Sequence, residues 1–291
     1  MTAHAIDATT PTTANRMTWL TVWTGHRLLT AYTVALLVIL PALLLAYTLD
    51  ARTVLDTNVW LKPIKFDLAI AIYLITLSAY AHLLPPHWRT SRWFNRYVAA
   101  IALTVVFEMA WLIYAAAIGE PSHFNQTHPV LAPMYGLMGV LAVLLTSLSA
   151  VFGVGILRHH ESGVPALLRY AIGYSLLATA VLTVLTAGYM SSAPAQTHAV
   201  LPAGVTVLES RAGLPVLGWL MNVGDLRVAH FFSTHALHSV PLVAWVIVAA
   251  MPREATGETL TPRRIALALT LLYAVFVLGV LAQAVRGQPF V

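Results

Sequence analysis

The stretch "GDLRVAHFFSTHALHSVPLVAWVIVAAM" (residues 224–251) sets His230, His235 and His238 at the head of a long apolar run. Imidazole titrates near neutral pH and is the commonest metal ligand, so such a cluster suits proton relay or cofactor binding. On a helix that turns about 100° per residue, His235 and His238 stand about 60° apart and can share one ligand. His230 lies about 80° from His238 and some 12 Å away along the axis, which assigns it to a second layer or to the mouth of a site. The spacing of five between His230 and His235 separates them by about 140°, unlike a zincin pair.

A carboxylate joins this set. Glu108 sits inside the apolar run 97–118, roughly 15 Å from its end, and His235 and His238 lie about 15 and 20 Å from the start of theirs. An ionised Glu at that depth is costly unless it is paired, protonated or hydrated, so intramembrane acids are read as functional by default. The simpler alternative is a neutral or paired Glu108 that fixes helix packing. If the third and sixth runs are neighbours, Glu108, His235 and His238 form a two-nitrogen, one-oxygen set for a divalent metal ion such as zinc or iron, with open positions left over. The other geometry is a haem b lying between helices, with an axial His from the sixth run and His82, near the depth of His238, opposite it. His82 precedes "LLPPHW" and could equally be an interfacial histidine.

Around one end of the chain's helices lies a second set: Lys62, Lys65, Asp67, His123, Asp225, Arg227 and Arg286. These suit a basic vestibule able to hold haem propionates or to attract an anion. Snorkelling lysines neutralised by Asp67 and Asp225 are the plainer reading. Glu120, Asn125 and His128 belong to the same region, in the turn "GEPSHFNQTH". The chain has no cysteine, which excludes disulfides, thiolate zinc, iron–sulfur clusters and covalent c-type haem. No phosphate loop, HExxH or GxSxG motif is present in the sequence.

The elements that must position these residues follow from composition. With 59% hydrophobic and 9% charged residues and a mean hydropathy of +0.77, the chain reads as an all-α, polytopic membrane helical bundle. Seven runs reach the roughly 20 residues needed to cross a hydrocarbon core: 28–49, 66–84, 97–118, 130–157, 166–190, 228–251 and 265–285. Residues 1–27 are expected to be a disordered lead and 28–291 one transmembrane domain, with a long outer loop at 191–227 that covers a site. Within that loop "LPVLGWLMNV" (214–223) is apolar enough to lie on a membrane surface.

The N-terminal segment and the second, fourth and sixth loops hold ten Lys or Arg, and the opposite side holds six. The positive-inside rule then predicts a cytoplasmic N-terminus and an outer C-terminus, in a cell inner membrane. The pI of about 9.6 is accounted for by lipid headgroups, with no nucleic acid implied. A faint echo pairs "NVWLKPIKF" (58–66) with "NVGDLRVAHF" (222–231), and "AAAIGEPSHF" (115–124) with "AQAVRGQPFV" (282–291). It suggests a parallel duplication of a helix pair.

Three functions fit. The first is haem or metal binding for redox or sensing, with a membrane or periplasmic redox partner. The second is a proton-coupled or anion transporter in which Glu108 and the histidines relay protons. The third is an accessory subunit whose polar residues only pack against a partner, another copy of the chain included.

Overall fold

Long unbroken apolar sequence, punctuated by proline and glycine, folds here into seven long helices among the described residues. The computed structural model describes residues 23, 25–54, 57–123, 129, 131–159, 163–192, 199–200, 213–214, 217–250 and 261–290. The lead expected over residues 1–27 falls almost wholly outside them, as do Asn125, His128, Arg211 and most of the loop 191–227.

The helices are α1 (Arg27–Leu49), α2 (Leu61–Tyr80, continued by a 3-10 turn, Ala81–Leu83), α3 (Arg92–Ile118) and α4 (Leu131–Arg158). They are followed by α5 (Ala166–Ser192), α6 (Leu226–Ala250) and α7 (Pro262–Val285). Pro86–Arg89 forms one separate helical turn between α2 and α3. Each is long and apolar enough to cross a membrane. The second and third helices begin about five residues before their apolar runs, so Lys62 and Lys65 sit on α2 itself and Arg92 and Arg96 on α3. Charged side chains with long stems do not break a helix; they only shift where its apolar face starts. Ser91 starts α3 by accepting from Phe94 N–H at 3.4 Å, and Pro262 starts α7 at the first helical position, where no amide donor is needed.

Two sets of three helices recur. α1, α2 and α3 each pack on the other two; so do α5, α6 and α7; and α4 packs on α2, α3 and α5. The third helix of each set ends the same way. Gly119 after α3 and Gly287 after α7 both have φ +74°, the left-handed conformation that glycine adopts without strain. The following amides close the same two bonds, Gly119 N–H to Ala116 O and Glu120 N–H to Ala115 O after α3, Gly287 N–H to Ala284 O and Gln288 N–H to Gln283 O after α7. These are Schellman caps. Each set also carries a two-stranded antiparallel ladder before its second helix: β1 (Thr53–Val54) with β2 (Thr57–Asn58), and β3 (Ala199–Val200) with β4 (Gly224–Asp225).

The principal core lies in the first set and α4, around Leu29, Leu74, Leu77, Phe94, Ile101 and Phe152. Leu237 of α6 reaches into it. Trp219 from the loop before α6 folds over the end of the second set, 9% exposed, against Leu226, Val280 and Leu281. The described part of the 214–223 segment thus packs on the bundle through Trp219 while Leu217 and Met221 stay exposed.

Candidate functional site

α6 carries its three histidines into two separate networks. His230 is half-buried; its Nδ1 lies 3.1 Å from Thr186 Oγ1 of α5, which lies 3.0 Å from Ser233 Oγ. This ties α5 to α6 within one three-helix set. His235 and His238 belong to a different network. Their Nδ1 atoms are 3.3 Å apart, and His238 Nε2 lies 3.0 Å from Thr76 Oγ1 of α2. Thr76 donates its hydroxyl proton to Ile72 O at 2.7 Å, so in the neutral pair His238 Nε2–H donates to Thr76, and His235 Nδ1–H donates to the bare His238 Nδ1. A ring-to-ring hydrogen bond of this kind is a path along which a proton can pass. Four residues beyond Thr76, Tyr80 donates to Leu237 O at 3.0 Å. The second helix of one set thereby meets the second helix of the other through side chains.

Glu108 lies apart from this pair. It is 4% exposed, its Oε1 has no hydrogen-bond partner among the described residues, and the charge that acts on it is that of Lys62 on α2. The third and sixth helices are not among the closely packed pairs, and Glu108, His235 and His238 are not gathered as one group of ligands among the described residues. Among the described residues no group of three or more His, Asp or Glu side chains is gathered as a metal would need. His82 sits in the 3-10 turn at the far end of α2, its Cδ2 about one van der Waals contact (3.3 Å) from where a side chain on Gly25 would begin. It is six residues beyond Thr76, the partner of His238, an offset of roughly 9 Å along a helix axis.

The second set of residues is partly assembled. Asp225 is buried and takes the Arg227 guanidinium in a fork, Nε to Oδ1 at 2.9 Å and Nη2 to Oδ2 at 2.6 Å. Arg227 also donates to Gly218 O at 2.6 Å, and its charge is felt by both Lys62 and Lys65. Lys65 donates to Leu217 O at 3.4 Å. Lys65 and Arg227 therefore both reach the 217–218 turn. Asp67 is fully buried, with neither carboxylate oxygen partnered among the described residues. His123 packs its ring between Phe66 and Tyr135, with centroids 5.7 and 6.0 Å away, and Arg286 is exposed at the end of α7.

The Asp225–Arg227 fork has a counterpart in the first set. Asp50 takes Arg52 through Nε at 3.0 Å and Nη2 at 2.7 Å, and accepts Trp60 Nε1–H at 2.8 Å. The Arg52 guanidinium, and after it the Trp60 indole, hold the Asp50 carboxyl well below the usual carboxylate range. Arg52 Nη2 continues to Ala117 O at 3.1 Å, pinning the hairpin to the end of α3.

Thr76 and Tyr80 escape the sequence reading because a single hydroxyl in an apolar helix signals only packing. Their spacing of four, one helical face, is the sole hint that both look toward one neighbour. No protein-family model, curated protein or solved structure matches the chain.

Proposed function

We propose that the protein spans a lipid bilayer seven times and carries a small anion together with a proton between its two three-helix sets, which are copies of one unit facing the same way. The outward sides of the helices support the bilayer reading: Val38, Val181 and Leu272 are 71%, 65% and 69% exposed on helices that hold few charges. The Schellman caps and the Asp–x–Arg forks, repeated set for set, support the copying. In carriers built from repeats the solute binds near mid-depth where the copies meet. The observation that carries the proposal is that equivalent helices, α2 and α6, meet through Thr76, His238 and His235. Lys62, Lys65 and Arg227 form the anion's mouth, Glu108 exchanges its charge against Lys62, and the imidazole pair passes the proton. The arginine distribution orients the N-terminus to the cytoplasm and the mouth outward, in an inner membrane.

The test is transport in liposomes loaded with a pH-sensitive dye, with an imposed pH gradient and chloride, phosphate, acetate or lactate offered in turn. One anion should accelerate proton entry, and Glu108→Gln or His238→Ala should lower that rate at least about tenfold, the order of one lost relay group. A full rate in both variants, or no anion effect in the wild type, rejects the carrier.

The 3.3 Å between the His235 and His238 Nδ1 atoms favours one second reading, since two nitrogens each about 2.0–2.1 Å from one ion can lie that close. The pair would then hold a divalent metal ion, or supply a haem b ligand, for redox or sensing. A Soret band or stoichiometric metal in the purified protein, lost from the His235→Ala/His238→Ala double variant, would replace the carrier reading with this one.

A further inference from the structure

The end of the bundle where α1, α3, α5 and α7 begin holds two cavities, one in each three-helix set. The first, about 400 Å³, lies between the starts of α1 and α3 and is lined by His26, Arg27, Arg89 and Asn95 among others. The second, about 610 Å³, lies between the starts of α5 and α7, with Arg169, Tyr170, Arg263 and Arg264 in its wall. First and third helices of a set thus bracket the same kind of hollow twice. Among the described residues neither lining contains an acidic residue. The described acids, Asp50, Asp67, Glu108, Glu120 and Asp225, all belong to the opposite end or the half of the helices nearest to it.

The walls hold unspent donors. Arg89 Nε is buried without a partner among the described residues, and so is Nδ1 of His26, which is 7% exposed. Arg169, 4% exposed, spends Nη1 on His159 O at 3.2 Å and stacks on the Tyr170 ring at 4.2 Å, which fixes its guanidinium in the wall. Arg263 is steadied by Tyr174 OH at 2.8 Å. His26 gives α1 no side-chain cap, so its own ring does not satisfy the first-turn amides of that helix.

From this arrangement we infer that each three-helix set binds one phosphate ester, the headgroup of an anionic phospholipid, in the arginine-lined hollow between its first and third helices. Guanidinium groups recognise phosphate by paired hydrogen bonds, and basic pockets between helix ends at a membrane face suit anionic headgroups. A hollow flush with the end of an apolar bundle admits the headgroup while the acyl chains lie along the exposed helix sides. The inference rests on the bilayer reading above but not on transport.

The experiment is native mass spectrometry of the full chain released from membranes, after incubation with phosphatidylglycerol, with phosphatidylcholine, or with inorganic phosphate. The wild type should keep two phosphatidylglycerol molecules and no phosphatidylcholine. Arg27→Gln/Arg89→Gln and Arg263→Gln/Arg264→Gln should each keep one, and the fourfold variant none. Lysine at the same four positions should restore at least one, which separates lost charge from lost fold. Two retained lipids in the fourfold variant, or equal retention of phosphatidylcholine, overturns the inference. Inorganic phosphate bound at the arginines without retained lipid overturns the lipid source. A chain recovered outside the membrane fraction fails the bilayer reading itself. Lipid retention that follows the arginines while liposome transport is absent rejects only the carrier.

Discussion

Asp67→Leu should make the protein more stable and less active at once. Leucine has the same branching as aspartate, so the substitution keeps the shape of the buried site while removing two oxygens that have no hydrogen-bond partner among the described residues. An unsatisfied buried polar group costs about 1–3 kcal/mol. The fully buried position, flanked on α2 by the buried Ile64, Ile70 and Ala71, returns that amount when it becomes apolar. The folded-to-unfolded ratio should therefore rise roughly 5- to 150-fold. Asp67→Asn is the control: its amide meets the same lack of partners, and its expected change is close to zero. Reversible unfolding in mixed micelles of mild detergent and dodecyl sulfate, followed by circular dichroism, reads both variants. Proton-coupled anion uptake in liposomes reads the other half, and Asp67→Leu should lose most of it, because a buried acid retained against stability is retained for use. If the leucine variant is destabilised by more than about 1 kcal/mol, the size of an ordinary lost hydrogen bond, the carboxyl has a partner and the reasoning fails. If it is stabilised but transports at the full rate, Asp67 is off the route.

Other expectations concern the ends of the bundle. The Asp50 carboxyl is held below its ordinary value by Arg52, so its contribution is complete above that ordinary value and disappears as pH falls through the lowered one. Asp50→Asn should accordingly lower unfolding stability at pH 7 and match the wild type only in strong acid. Burial lowers the pKa of His26 against a smaller opposing hydrogen bond with Asn95. Acidification from about pH 6.5 downward protonates the unfolded chain first, so stability should decline over that range, and His26→Gln should flatten the decline in a micelle unfolding series. Gly119→Ala and Gly287→Ala force φ +74° on a residue with a Cβ. Each should cost about 1–2 kcal/mol, and unequal losses beyond that range would argue against equivalent caps.

The seven helices were legible because apolar length alone reports them, and the two early starts, at α2 and α3, come from charged residues that a helix tolerates at its rim. Lateral order was not legible. Depth along an axis can be counted from the sequence, as it was for Glu108 and His235, but hydropathy is nearly the same on every side of a helix bathed in apolar surroundings, so it does not say which neighbours touch. The pairing of His235 with His238 followed from helical geometry and holds in the structure. The partner of His238 did not follow, because Thr76 is one hydroxyl among many. Lys65 and Arg227, expected at one mouth, both reach the 217–218 turn, whereas Asp67, expected at the rim, is buried. The faint echo in the sequence marked the helix ends where the caps and ladders recur; it carried no sign of how the triplets pack.

A unit with three crossings, copied in tandem, would insert its second copy upside down. On the reading proposed above, α4 adds one crossing and corrects the parity, so that α1 and α5 start at the same side. Each triplet also brings its own arginines to that side, Arg27, Arg89 and Arg92 in one and Arg169, Arg263 and Arg264 in the other. Expressed as two separate chains, the triplets would therefore adopt matching orientations without any help from α4. Excision of α4 from the single chain would instead set the arginines of the second triplet against its inherited direction, so that everything after the cut must invert or fail to insert.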